Sequence, residues 1–392
     1  MHKFEADLQA VYEEMVEWRR YLHRHPELSY QEVETAKFVA NHLRSWGIEV
    51  RTGVGGNGVV GLLRGGSAGP TVALRADMDA LPIQDEKTDC AYGSTRAGIM
   101  HACGHDAHTS TLLAIAKVTS ARREELTGNL VFLFQHAEEI SPGGAHSMIE
   151  AGALESVDAV YGVHLWTPFP VGHVYTRPGA FMAAPDEFAI RIQGKGGHGG
   201  LPHQTIDSVY IASQLVVNLQ GIVSRQVDPI ESCVVSVGAI HGGTSFNVIA
   251  ESCVLSGTVR TFNPSLREEV RARIERITHA TCEMSQASYE LDYKLGYPTV
   301  VNDALEAQRF TKVGAALFGE DRVHESPPIM AGEDFSYYLQ HKPGCFMFVG
   351  AGNVERGIVH PHHHPKFDID EASMLNAANL LIGMALDYMA NN

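Results

Sequence analysis

Eight residues, His101-Ala102-Cys103-Gly104-His105-Asp106-Ala107-His108, set one thiol, three imidazoles and a carboxylate just ahead of a helical run. Such a density of soft donors suits a divalent cation, because thiolate and neutral imidazole are what borderline-soft ions take. Cys103 and His105 flank Gly104, where a tight turn lets both heads converge on one ion. Three further places offer donors: Glu138-Glu139 after the apolar run NLVFLFQ, His164 after the apolar run Ala159 to Val163, and the proline-pinned His360-Pro361-His362-His363-His364-Pro365. The candidate ligands are therefore Cys103, His105, Glu139, His164 and one of the closing histidines. Five ligands exceed the four of a tetrahedral structural site, so two divalent ions sharing a ligand are expected, of zinc, manganese, cobalt or nickel rather than magnesium or calcium. Neighbouring side chains at a strand end diverge. One of Glu138 and Glu139 can then bind metal while the other takes a proton from the attacking water as general base.

The elements that must carry these residues follow from periodicity. Residues 4 to 24 and about 32 to 46 have helical spacing, with Gly47 capping the second run, and a strand begins at Ile48. Gly53-Val54-Gly55-Gly56-Asn57-Gly58 matches the dinucleotide pattern GxGxxG, but it leads into a strand, Val59 to Leu63, and not into a helix. It reads as a glycine-rich hairpin, and a nucleotide cofactor is excluded. Thr71 to Arg75, Asn129 to Gln135 and Ala159 to Val163 read as buried parallel strands, and a helix is predicted from about Thr109 to Arg123. Ligands delivered at successive strand ends would meet along one edge of such a sheet. From about residue 185 the pattern becomes βαββαβ, a ferredoxin-like order, with Ser265 and Glu268 as a capping box for a helix from Leu266 to Met284. After 297 the earlier style resumes, with helices from about Ala304 to Phe318 and Glu371 to Met389 around a strand Cys345 to Val349. The expected fold is thus α/β, a mixed, mostly parallel sheet with helices on both faces (residues 1–184 and 298–392), interrupted by an α+β ferredoxin-like domain at 185–297.

Composition narrows the function. The chain has 392 residues, long enough for two domains, and a net charge of -16 without clustered Lys and Arg, which argues against a nucleic-acid partner. No apolar run approaches the roughly 20 residues of a membrane span, and the start MHKFEADLQAVYEE lacks the core of a signal peptide, so a cytoplasmic location is expected. The six cysteines contain no CxxC pair and read as reduced thiols.

The motifs ADMDALP (76–82), MHACGHD (100–106), Glu138-Glu139, GVHLW (162–166), GKGGHGGLPH (194–203), FNVI (246–249), GTVRTF (257–262), GEDF (332–335) and HHPKF (363–367) occur in this order. In them the chain resembles the M20 metallopeptidase family, within it the amidohydrolase branch of aminoacylases, hippurate hydrolases and auxin-conjugate hydrolases, and most of all a bacterial N-acyl-L-amino acid amidohydrolase. The resemblance implies that Cys103 bridges two metals, with His105 and His164 completing one site and Glu139 and His363 the other, and that Glu138 is the general base. His362 and His364 flank His363, so that assignment stays open by one position. Asp77 falls where the wider family has a histidine ligand, a departure shared by this branch, and with Asp79 is expected to orient ligands. The inserted domain resembles the family's lid and dimerisation domain, implying a homodimer or tetramer. There His198 would polarise the scissile carbonyl, in relatives at the partner subunit's site, and Asn247 and Arg260 would grip the substrate carboxylate, the guanidinium in bidentate fashion. The implied activity is hydrolysis of a small N-acyl-L-amino acid by metal-activated water. A dipeptidase or carboxypeptidase on the same scaffold is the alternative.

Overall fold

A computed structural model describes residues 2–87 and 90–392, and its chain divides into two compact units. The first gathers the chain up to Phe181 with Val300–Pro327 and Asp334–Asn392; the second holds Met182–Thr299 and Pro328–Glu333. The segment 328–333, read from sequence as part of the first domain, groups with the second unit, a long-range association that no local pattern announces.

In the first unit an eight-stranded sheet runs in the order Glu49–Val54, Gly58–Arg64, Thr127–Gln135, Ser67–Asp77, Ala159–Pro170, Gly344–Gly352, Val174–Thr176, Val323–Glu325. Its centre is parallel: Ser67–Asp77 pairs in parallel with both Thr127–Gln135 and Ala159–Pro170, which pairs in parallel with Gly344–Gly352. These strands are nearly continuous in Val, Leu, Ala and Phe because helices cover them; His105–Ala121 and Ala372–Asn391 pack on Ser67–Asp77 and Ala159–Pro170. The glycine-rich run is the turn between the antiparallel strands Glu49–Val54 and Gly58–Arg64. Its glycines answer to packing: Gly55 has φ 68°, and a Cβ there would lie 2.4 Å from the Ser147 backbone.

Two local readings change. The helix expected from Thr109 begins at His105, directly after Gly104 in the left-handed region (φ 88°), because its first turn is polar yet buried and so shows no apolar periodicity. The strand expected to stop at Val163 continues to Pro170, paired along Gly344–Gly352, so His164 sits within a strand opposite Phe348 and not beyond its end.

The second unit is a four-stranded antiparallel sheet in the order Cys233–Gly242, Ser252–Thr261, Ala184–Gln193, Ser288–Leu295, with the helices Ser208–Gly221 and Pro264–Glu283. Numbered along the chain this is the 4-1-3-2 order of the split βαβ fold, read from its far edge. Phe188, Ile190 and Ile192 alternate along the central strand and meet Ile211, Leu215, Val270 and Ile274 of the helices. The second helix is capped by Asn263, whose Oδ1 accepts from the Ser265 and Leu266 N–H groups, with Pro264 at its first position, and not by the Ser265 box.

Candidate metal centre

Each donor is aimed by a local device. Gly104 in the left-handed region turns the chain so that Cys103 precedes and His105 opens the central helix. Next to it, Asp106 is buried and held by Arg19 Nε at 3.0 Å and His23 Nδ1 at 2.7 Å, both from the helix Tyr12–Arg24. Beyond the strand Thr127–Gln135, Ala137 takes φ 53°, costly for a residue with a Cβ, and its N–H is fixed by Glu32 Oε1 at 2.8 Å. The Glu139 N–H donates to Asp79 Oδ2 at 3.0 Å. His363 has φ 65° and is tied by its N–H to the Ala102 carbonyl at 2.8 Å. Two of the strained non-glycine residues therefore flank or carry donors.

These devices bring Cys103, His105, Glu139, His164 and His363 together. One donor atom from each of Cys103, His105 and His164 lies within 4.8 Å of the others, and the same holds for Cys103, Glu139 and His363, so the two sets share the Cys103 sulfur. Glu138 lies within the same reach of His105 and Glu139 and is buried. His105 Nε2 and Glu139 Oε1 are buried without a hydrogen-bond partner, which is costly unless a cation or water completes them. The donor set of one sulfur, three imidazoles and a carboxylate, with two orphaned atoms facing the cluster, fits a divalent pair.

His108 and His362 are spent elsewhere. His108 Nδ1 donates to Asp77 Oδ1 at 2.7 Å and its Nε2 accepts the Leu165 N–H at 2.9 Å, leaving no lone pair for a metal. His362 Nε2 donates to the Leu165 carbonyl at 3.0 Å and the ring stacks on Trp166; burial pushes it down to about 3. His364 stacks on His360, while His363 Nε2 reaches 3.4 Å from Glu139 Oε2. His101 is buried with neither ring nitrogen hydrogen-bonded among the described residues, and burial lowers it to about 4.

Of the two acids expected to orient ligands, Asp79 holds a candidate ligand, whereas Asp77 holds His108. Asp79 accepts from His105 Nδ1 through its carbonyl at 3.0 Å and its carboxylate at 3.2 Å, so His105 presents Nε2. Burial opposes charge on His105, but Asp77, Asp79 and Glu139 outweigh it and raise it to about 10: the carboxylate-rich pocket demands a cation. Burial and the Glu139, Glu138 and Asp77 carboxylates push the Cys103 thiol well above its usual value. The sequence reading missed the support behind them. Arg75 bridges Asp77 and Asp334, Gln135 donates to both oxygens of Asp334, and Ser29 donates to Asp79. The available signal was Asp334 in GEDF and Arg75 two residues before Asp77.

His198, Asn247 and Arg260 belong to the second unit. His198 and Val248 face each other across the two-stranded piece Gly197–His198 and Val248–Ile249, beside Asn247, and both His198 and Asn247 are exposed. His198 Nδ1 accepts the Gly200 N–H at 2.9 Å, so the neutral ring keeps its proton on Nε2. Arg260 is half-buried, its Nε bound to the Met330 carbonyl at 3.1 Å and its Nη1 to the Val259 carbonyl at 3.0 Å and to Thr258. A bidentate grip therefore needs the Arg260 side chain to change partners.

Residues 73–387 match the model of Peptidase family M20/M25/M40. The chain belongs to that family. It is 50% identical over 289 residues, 74% of this chain and 78% of the relative, to an N-acyl-L-amino acid amidohydrolase of Geobacillus stearothermophilus. It is 41% identical to the N-acetyl-L-cysteine deacetylase of Bacillus subtilis, over 99% of this chain and 91% of that one. The crystal structure of the Bacillus subtilis YXEP protein, a dinuclear metal binding peptidase from the M20 family, superposes with a TM-score of 0.82 at 34% identity, covering 98% of this chain and all of that one. This M20 chain is an enzyme of the amidohydrolase kind. Among the described residues no helix is long and apolar enough to cross a membrane.

Proposed function

We propose that the protein hydrolyses the amide bond of N-acyl-L-amino acids, releasing a carboxylate and a free amino acid. The observation that carries this reading is the pair of donor sets sharing Cys103, with the buried Glu138 carboxylate within the same reach. It is supported by relatives named for N-acyl-amino acid and N-acetyl-cysteine hydrolysis. Cys103 with His105 and His164 would hold one divalent ion and Cys103 with Glu139 and His363 the other. When bound, the pair supplies Lewis acidity that polarises the amide carbonyl and makes the attacking water more acidic.

The remaining work falls to the chain. Glu138 takes the proton from water and passes it to the leaving amine, as suits a buried carboxylate beside the ligands. His198 donates its Nε2 proton to the carbonyl oxygen as negative charge grows there. Arg260, through Nη2 or by exchanging partners, and Asn247 bind the substrate carboxylate. In this reading the second unit is the lid and joins two copies, in a dimer or tetramer, in the cytoplasm. Its exposed Tyr210 and Val217 on the helix Ser208–Gly221 and Ile240 on the edge strand suit that use.

The test is a chelated full chain re-loaded with zinc, manganese, cobalt or nickel and given N-acetyl and N-benzoyl amino acids beside dipeptides. Hydrolysis of the acyl substrates with little of the dipeptides is expected, and His198→Ala should lower turnover at unchanged metal content. A preference for dipeptides would replace this reading with the peptidase alternative.

A further inference from the structure

We propose that His108 and His362 are positioning residues that act on His164 through the backbone N–H and carbonyl of Leu165, fixing which nitrogen of His164 carries the proton. The Leu165 N–H can only donate, and it points at His108 Nε2 at 2.9 Å. That nitrogen is therefore a lone pair, and neutral His108 keeps its proton on Nδ1, where Asp77 Oδ1 accepts it at 2.7 Å. The Leu165 carbonyl can only accept, and it receives two rings: His164 Nδ1 at 2.9 Å and His362 Nε2 at 3.0 Å. Both of those nitrogens carry protons. The Nε2 of neutral His164 is then a lone pair, and it faces the Cys103 sulfur at 3.4 Å, at a distance where the thiol donates to it.

The two amides that flank the Leu165 Cα are thus each held by a ring, the His164–Leu165 amide at its N–H by His108 and the Leu165–Trp166 amide at its carbonyl by His362. His362 is itself immobilised, its ring stacked 4.4 Å from Trp166 at 21° and 4.9 Å from Phe367. His108 is anchored through Asp77 to Arg75. The bond from His164 to the carbonyl of its own neighbour is a short local contact whose geometry follows the plane of the Leu165–Trp166 amide, which His362 holds, while His108 fixes the His164–Leu165 amide before it. A clamp on that plane sets the ring orientation as well as the tautomer. The sequence pattern left His108 among the donors of its motif and His362 beside the expected ligand; the structure sets them on two successive amides.

The inference rests on His164 being a metal ligand, and the experiment separates the two. Ring 15N spectra of the zinc-loaded full chain should show His108 and His164 protonated at Nδ1 and His362 at Nε2. His362→Phe keeps a ring against Trp166 but cannot donate; His362→Gln restores a donor. In chelator competition, His362→Phe is expected to bind one zinc roughly 10- to 100-fold more weakly, with His362→Gln regaining most of the loss and His164→Ala losing that ion. Wild-type affinity in His362→Phe beside a lost ion in His164→Ala defeats the clamp and leaves the ligand reading intact. Both zincs held at wild-type affinity in His164→Ala defeats the ligand reading and the clamp with it. Should His362→Phe fail to fold, the spectra of the unaltered chain decide: a His362 proton on Nδ1 overturns the proposal.

Discussion

Arg75→Met tests the support behind the centre. The guanidinium is 1% exposed and lies between two carboxylates that are 0% exposed, donating to Asp77 Oδ2 at 2.7 Å and Asp334 Oδ1 at 2.8 Å. Methionine keeps most of the stem and removes the cation, leaving both acids buried without it. Removing one partner of a buried ion pair costs about 3–5 kcal/mol, and two charge-assisted bonds at about 1.5–3 kcal/mol each give a similar sum. Burial already raises Asp334 to about 6 against the pull of Arg75, so it is the acid that takes up a proton when the cation leaves. The double variant Arg75→Met/Asp334→Asn should therefore lose at least about 1 kcal/mol less than the two single changes added together. With two compact units a single unfolding midpoint is ambiguous, so the readout is hydrogen exchange in the strand Ser67–Asp77 as urea is raised. A loss below about 1 kcal/mol in Arg75→Met, or strict additivity in the double variant, would mean that Arg75 does not hold the two acids charged.

Glu138→Gln should lower kcat by about 10²- to 10⁴-fold with both metals retained, measured by turnover and metal analysis on one preparation; unchanged turnover would remove Glu138 as the base. Asp85 is opposed by burial, yet His23 and the Ser94 and Lys87 N–H groups hold it at about 2. A folded value below the unfolded one contributes stability that is complete above about pH 4 and lost as pH falls towards 2. Asp85→Asn should therefore cost about 1–2 kcal/mol at pH 7 and progressively less as pH falls through about 2, by denaturant unfolding across that range. In the hairpin turn, Gly53→Ala meets only the strain of φ 70°, about 1–2 kcal/mol, whereas Gly55→Ala adds overlap with the Ser147 backbone and should cost about 1–3 kcal/mol more. Equal thermal shifts for the two would contradict the packing account.

Residue types and their spacing alone marked the candidate donors, the hairpin in place of a nucleotide loop, the βαββαβ order of the insert, and elements with unbroken periodicity such as Ala304–Phe318 and Ser252–Thr261. Each of these is written in residues close together: a chemical type, a glycine, an apolar repeat. It took the folded chain to show that His105 opens a helix whose polar first turn is buried, that His164 sits inside a strand extended by pairing with Gly344–Gly352, and that Arg75 answers to Asp334 as well as Asp77. The same holds for dividing the imidazoles into those left facing a metal and those spent on Asp77 and the Leu165 peptide. The physical reason is that a histidine's role depends on which of its two nitrogens is already bonded. The partners that decide it, Asp79 for His105 and Leu165 for His108 and His362, lie 26 to 197 residues away along the chain, beyond any local pattern.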